Sequence, residues 1–217
     1  MKAKVVRILD SYASLLVLLL ANFFLLELVD DPRWGAIGST LLAAAALVVA
    51  ISDPEAGHHV HKSHWILIGV CVALAPLVLV VNSTRIVGLT YLLPVALLVT
   101  ATLPITLNRI IHHRQVTSET VLGALCVYVL IGLLFVFLYG VLAKLGSGDF
   151  FAQGTDGTRS LRLYFSFVTL ATLGYGDYTA ANELGRTLAV VEALFGQLYL
   201  VTVIAVLVSR MRGRGSA

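Results

Sequence analysis

The chain has 217 residues, of which 59% are hydrophobic and only 12% charged, and its mean hydropathy is +0.93. So little charge cannot solvate the surface of a globular domain of this size, and the long apolar runs predict a protein in a bilayer. The net charge of +3 is small and scattered, so nucleic acid is excluded as an expected partner.

At the start, Met1-Lys2-Ala3-Lys4 ahead of an apolar run imitates a secretory signal. The run Tyr12–Leu28 is long for that purpose and no A-x-A-like cleavage site follows it, so a retained transmembrane helix is expected. Runs of the roughly 17–25 residues needed to cross a bilayer lie at Ser11–Val29, Trp34–Ile51, Trp65–Val81, Ile86–Leu107, Glu119–Ala143 and Leu184–Val208. The connectors Asp30-Asp31-Pro32, Ser52-Asp53-Pro54 and Asn82-Ser83 carry turn residues. Pro76, Pro94 and Pro104 predict kinks within the third and fourth spans. Cys71 and Cys126 each stand alone in an apolar run, the pattern of small buried hydrophobes. Thr117-Ser118-Glu119 reads as a helix start, a hydroxyl cap followed by an acid.

The segment between the fifth and sixth spans differs in kind. Gly146-Ser147-Gly148-Asp149 and Gly154-Thr155-Asp156-Gly157 predict a polar loop, and the apolar stretch Leu161–Ala171 after it is too short to cross a membrane. A short apolar helix followed by a glycine-rich strand predicts a re-entrant loop. Non-helical backbone at membrane depth is tolerated only where protein buries it or water lines it, which points to a pore. Lys2, Lys4 and Arg7 precede the first span, and Arg210, Arg212 and Arg214 follow the last, so both termini are expected in the cytoplasm. The re-entrant loop then faces outward, although Arg33, Arg85, Lys144, Arg159 and Arg186 fall on the outer side.

Thr169-Leu170-Ala171-Thr172-Leu173-Gly174-Tyr175-Gly176-Asp177 resembles the pore signature of the potassium channels, and the resemblance covers about the last hundred residues. It implies that four copies of the loop line a selectivity filter. Backbone carbonyls of Thr172, Leu173, Gly174 and Tyr175, with the Thr172 hydroxyl, would replace the hydration shell of K+. Gly174 and Gly176 can take the positive φ that turns successive carbonyls one way. One loop per chain implies a homotetramer. The helix Leu161–Ala171 would aim its negative end at the ion. Leu173 stands for the more usual valine, and Val168 for a glutamate that in some relatives contacts the aspartate after the filter. Tyr164 and Phe165 match an aromatic pair that braces the filter. The Tyr164 hydroxyl is a candidate partner for Asp177, with ordinary core packing the alternative.

Gly185-Arg186, Glu192 and Gly196-Gln197-Leu198-Tyr199 resemble the inner helix of prokaryotic members. Gly196 is the expected hinge, or else a close-packing glycine. From Gln197, helical spacing carries Leu200, Ile204 and Val208 down one pore-lining face that can gate by dewetting. Glu192, the only acid well inside the span, is expected to face protein and bond Ser166 or Thr169, an ion site being the alternative.

Six spans with a pore in the last two also resemble the voltage-gated architecture. The fourth span nevertheless carries no charge inside it, with Arg85 and Arg109 only at its ends, so it should not sense voltage. Nine residues follow the last span, and no cytoplasmic ligand-binding domain is expected. The connector Asn108–Ser118 reaches only about 15 Å if helical. Residues 1–107 should therefore pack beside the pore helices of their own chain.

The expected fold is an all-α membrane protein, with a four-helix peripheral transmembrane bundle (1–116) followed by a two-helix pore domain (117–217) holding a re-entrant pore helix and filter. The expected function is passive K+ conduction in the plasma or inner membrane, with K+ as the permeant ion, no cofactor and no enzymatic activity. Tyr175 disfavours a non-selective cation channel, and a single filter on a short chain disfavours a potassium-uptake transporter subunit. A proton- or metal-sensing membrane protein is the remaining alternative, resting on His58, His59, His61, His64, His112 and His113.

Overall fold

The computed structural model describes residues 2–29, 31–52, 62–76, 92–98, 102–103 and 118–212. Among them the chain forms helices α1 (Lys2–Leu28), α2 (Pro32–Ser52), α3 (Lys62–Leu74), α4 (Leu92–Leu97), α5 (Ser118–Leu145), α6 (Arg159–Leu170) and α7 (Glu183–Arg212). No strand occurs among the described residues, only isolated bridges from Phe151 to Thr155 and to Ala180.

Three of these helices are long and apolar enough to cross a membrane, within Arg33–Ile51, Val121–Leu145 and Glu183–Val203. Tyr12–Leu28 and Trp65–Leu74 are shorter apolar helical stretches. Residues 77–81 at the end of the third expected span and most of the fourth fall outside the described residues, as do Arg85, Arg109, Pro104, most of the Asn108–Ser118 connector and the histidines at 58, 59, 61, 112 and 113.

The helices stack in order of contact. α3 and α4 lie on α2 around Ala43, Leu47, Cys71 and Leu97. α1 lies between α2 and α5, burying Leu15, Leu19 and Leu26 against Leu130, Leu133 and Phe137. Alanines 43, 44, 46 and 50 leave α2 little side chain on its buried side, which lets its neighbours approach. The opposite face of α5 packs on α6 and α7 through Val127, Phe135, Tyr139, Phe165, Leu170 and Val191. Both cysteines are buried and neither is in a disulfide.

α6 starts two residues before the apolar stretch that announced it. Thr158 caps it, its hydroxyl accepting from the Leu161 N–H at 3.1 Å. Two polar residues can therefore occupy the first turn. Arg159 is buried there, donating to the carbonyls of Val29 and Asp31 in the α1–α2 turn, and Ser160 donates to Glu27 at 2.6 Å. These contacts fasten the start of α6 to the peripheral helices.

Candidate functional site

Residues 171–177 run as irregular backbone from the end of α6 along the chain surface. The start of the segment is tied to the last turn of α6. The Thr172 N–H donates to Thr169 O at 2.9 Å, and the Leu173 N–H donates to Val168 O at 2.9 Å. Backbone handedness then alternates, with φ of +56° at Thr172, +56° at Gly174 and +78° at Gly176. Alternation of this kind is what a row of carbonyls facing one side requires. Glycine adopts it freely. Thr172 does not, since a β-branched residue at positive φ stores roughly 1–3 kcal/mol of strain, as backbones at functional sites often do. The expectation from the glycines covered two of the three positions. The threonine gave no signal, because its side chain argues against that conformation.

Behind the segment stands Tyr164. Its hydroxyl donates to Asp177 Oδ2 at 2.8 Å, and its ring stacks with Tyr175 at a centroid distance of 6.3 Å. The hydrogen bond to Asp177 pushes the Tyr164 phenol up to about 12, so it remains a donor at neutral pH. Phe165 faces the other way, into the rings of Tyr139, Phe150 and Phe151. The expected aromatic pair is thus divided, one ring on Tyr175 and Asp177 and one in the core. Gln153, which the sequence did not single out, holds the far end. Its amide donates to Asp177 O at 2.8 Å and accepts from the Thr179 N–H at 3.3 Å.

Below the segment, α7 runs unbroken through Gly196. A Cβ there would lie 2.2 Å from the Leu170 carbonyl oxygen, so this glycine lets α7 touch the end of α6. Glu192, one turn earlier, is fully buried. Its Oε1 meets Ser166 Oγ and its Oε2 accepts from the Tyr139 hydroxyl. Ser166 Oγ also lies 2.9 Å from Gly132 O on α5. The α6 partner follows from helical spacing. Tyr139 does not, although a hydroxyl near the end of an apolar span was the available signal. Gln197 and Leu200 lie on the exposed face of α7 with Leu198 and Val201. The side chains of Ile204 and Val208 lie outside the described residues.

No group of three or more metal-ligating side chains occurs among the described residues. The backbone carbonyls of residues 172–175 and the Thr172 hydroxyl are oxygen donors of the kind that suit a weakly held monovalent cation. No curated protein and no solved structure is matched by the chain. Residues 116–213, which span α5, α6, the irregular segment and α7, match the sequence model of a family described as "Ion channel". The C-terminal part of this chain, whose helices include two long and apolar enough to cross a membrane, is therefore similar to an ion-channel domain.

Proposed function

We propose that the chain is one subunit of a homotetrameric, potassium-selective channel, with the filter at Thr172-Leu173-Gly174-Tyr175-Gly176. The observation that carries this reading is the alternating backbone of residues 172–176, strained at Thr172, in a segment braced by Tyr164. Four such segments around an axis would present stacked rings of carbonyls to a dehydrated ion. The apolar, largely exposed face of α7, with Val190, Leu194, Leu198 and Val201, supports a role against lipid and neighbouring subunits. Gly196 and Glu192 then set the packing of the inner helix on the pore helix. Gln197, Leu200, Ile204 and Val208 would line the path below the filter, with both termini cytoplasmic. Whether Gly196 also bends is a separate property from the close contact it permits.

Purified protein in liposomes should pass K+ and Rb+ and strongly exclude Na+, and Tyr175→Asp should weaken that exclusion. Equal Na+ and K+ flux through the wild type would refute the assignment. Opening should depend only weakly on voltage, because the Ile86–Leu107 run has no internal charge. A steep conductance–voltage relation that flattens in Arg85→Gln or Arg109→Gln would count against this.

A further inference from the structure

The buried contact between α5, α6 and α7 has one hydrogen more than its hydroxyls supply. Three oxygen–oxygen contacts connect Tyr139 to Glu192, Glu192 to Ser166, and Ser166 to Gly132 O. Each needs one hydrogen. Tyr139 and Ser166 bring one each, and the Gly132 carbonyl brings none. Because that carbonyl can only accept, the Ser166 hydrogen is committed to it at 2.9 Å. The contact between Ser166 Oγ and Glu192 Oε1 must then be filled from the carboxyl side.

We infer that Glu192 is a neutral carboxylic acid whose Oε1–H donates to Ser166, and that this proton is a structural part of the clasp holding the pore helix between α5 and α7. The order of donors along the chain of contacts is fixed. Tyr139 donates to Oε2, Oε1–H donates to Ser166 Oγ, and Ser166 donates to Gly132 O. An ionised Glu192 would take the Ser166 hydrogen for itself. It would leave Ser166 Oγ and Gly132 O facing each other at 2.9 Å with lone pairs only. The surroundings agree with the neutral form. Glu192 is 0% exposed, its two partners are hydroxyls, and no Lys, Arg or His side chain pairs with it among the described residues. An unpaired carboxylate in such a place is among the most costly groups a protein can bury. Glu192 is thus a positioning residue. Through Ser166 it acts on the helix whose last turn holds Thr172 and Leu173.

The hydrogen count stands apart from the channel reading, and only the effect on selectivity rests on it. Infrared difference spectra of the full-length wild type and Glu192→Gln in lipid test the count directly. The protonated-carboxyl carbonyl band should be present in the wild type and absent from the variant. Loss of a carboxylate band instead would overturn the proposal. Glutamine also supplies an N–H for Ser166 and an oxygen for Tyr139. E192Q should therefore keep the K+ over Na+ preference of the wild type, while Glu192→Ala loses at least tenfold of it. If E192Q is as damaged as E192A in that flux ratio, the clasp does not work as described. If E192Q does not assemble, Ser166→Ala reads the same group. Removing the acceptor should move the acid band to higher frequency, whereas an ionised Glu192 has no such band to move. A protein that shows the acid band but no ion flux would sink the channel reading and leave the proton in place.

Discussion

Gly196 has no space for a methyl group. An added Cβ would sit 2.2 Å from Leu170 O and 2.9 Å from the Leu170 side chain, and the carbonyl is backbone that cannot swing aside. Gly196→Ala should destabilise the protein by about 1–3 kcal/mol, as overpacking does. A lowered thermal midpoint in detergent would register it. An unchanged midpoint would mean that α7 bends here readily enough to absorb the methyl. At this scale the sequence was informative wherever residue type restricts conformation or solvation. Gly174 and Gly176 announced positive φ, and Glu192 announced a buried partner, because an acid in an apolar span must find one. Thr172, Gln153 and Tyr139 stayed hidden. Thr172 adopts a conformation that its side chain opposes, and the other two act on residues distant in sequence.

The junction between the peripheral helices and α6 is an element-scale device. The Arg159 guanidinium spans the carbonyls of Val29 and Asp31, and it lies across the α2 backbone at Gly35, where a Cβ would come within 1.6 Å of Nη1. Arg159→Met removes both bonds, at a cost of about 1.5–3 kcal/mol for charge-assisted contacts made by a buried guanidinium. Gly35→Ala should displace the same guanidinium. The two changes should therefore be far from additive in a double-mutant cycle read by thermal unfolding. Additive losses would show that Gly35 serves some other contact. None of this was legible in a hydropathy pattern. The apolar run located α6 but began it at Leu161, since Arg159 and Ser160 look like loop residues until Thr158 caps them and the end of α1 and the turn after it accept their hydrogens. The long apolar helices α2, α5 and α7 were easier to read, because the bilayer dictates length and apolarity together.

Across the whole molecule, α1 contributes most to joining the two parts of the chain. It packs along α5 and reaches α6, with Phe23 against Phe167 at a centroid distance of 5.2 Å and Glu27 on Ser160. Within the single chain the peripheral helices thus rest on α5 and α6, and that they keep these partners in a tetramer is the proposal drawn from connector length. In a tetramer, Glu27→Cys with Ser160→Cys should crosslink within each subunit and run as a monomer on a non-reducing denaturing gel. A ladder of dimers and larger species would show that α1 is exchanged between subunits.

The irregular segment after α6 bears on assembly in another way. Leu173 and Tyr175 are 57% and 65% exposed, and among the described residues the backbone of Gly174, Tyr175 and Gly176 makes no hydrogen bond. Lipid does not tolerate irregular backbone left bare in this way. On the tetramer reading, the ordered filter belongs to the encounter of subunits and not to any one of them, so mass action governs it. As subunits are diluted in a membrane, the segment loses its form while α5, α6 and α7 remain helical. Conduction then depends on how many chains the bilayer holds, and a scarce subunit is a well-folded bundle with no selectivity to offer.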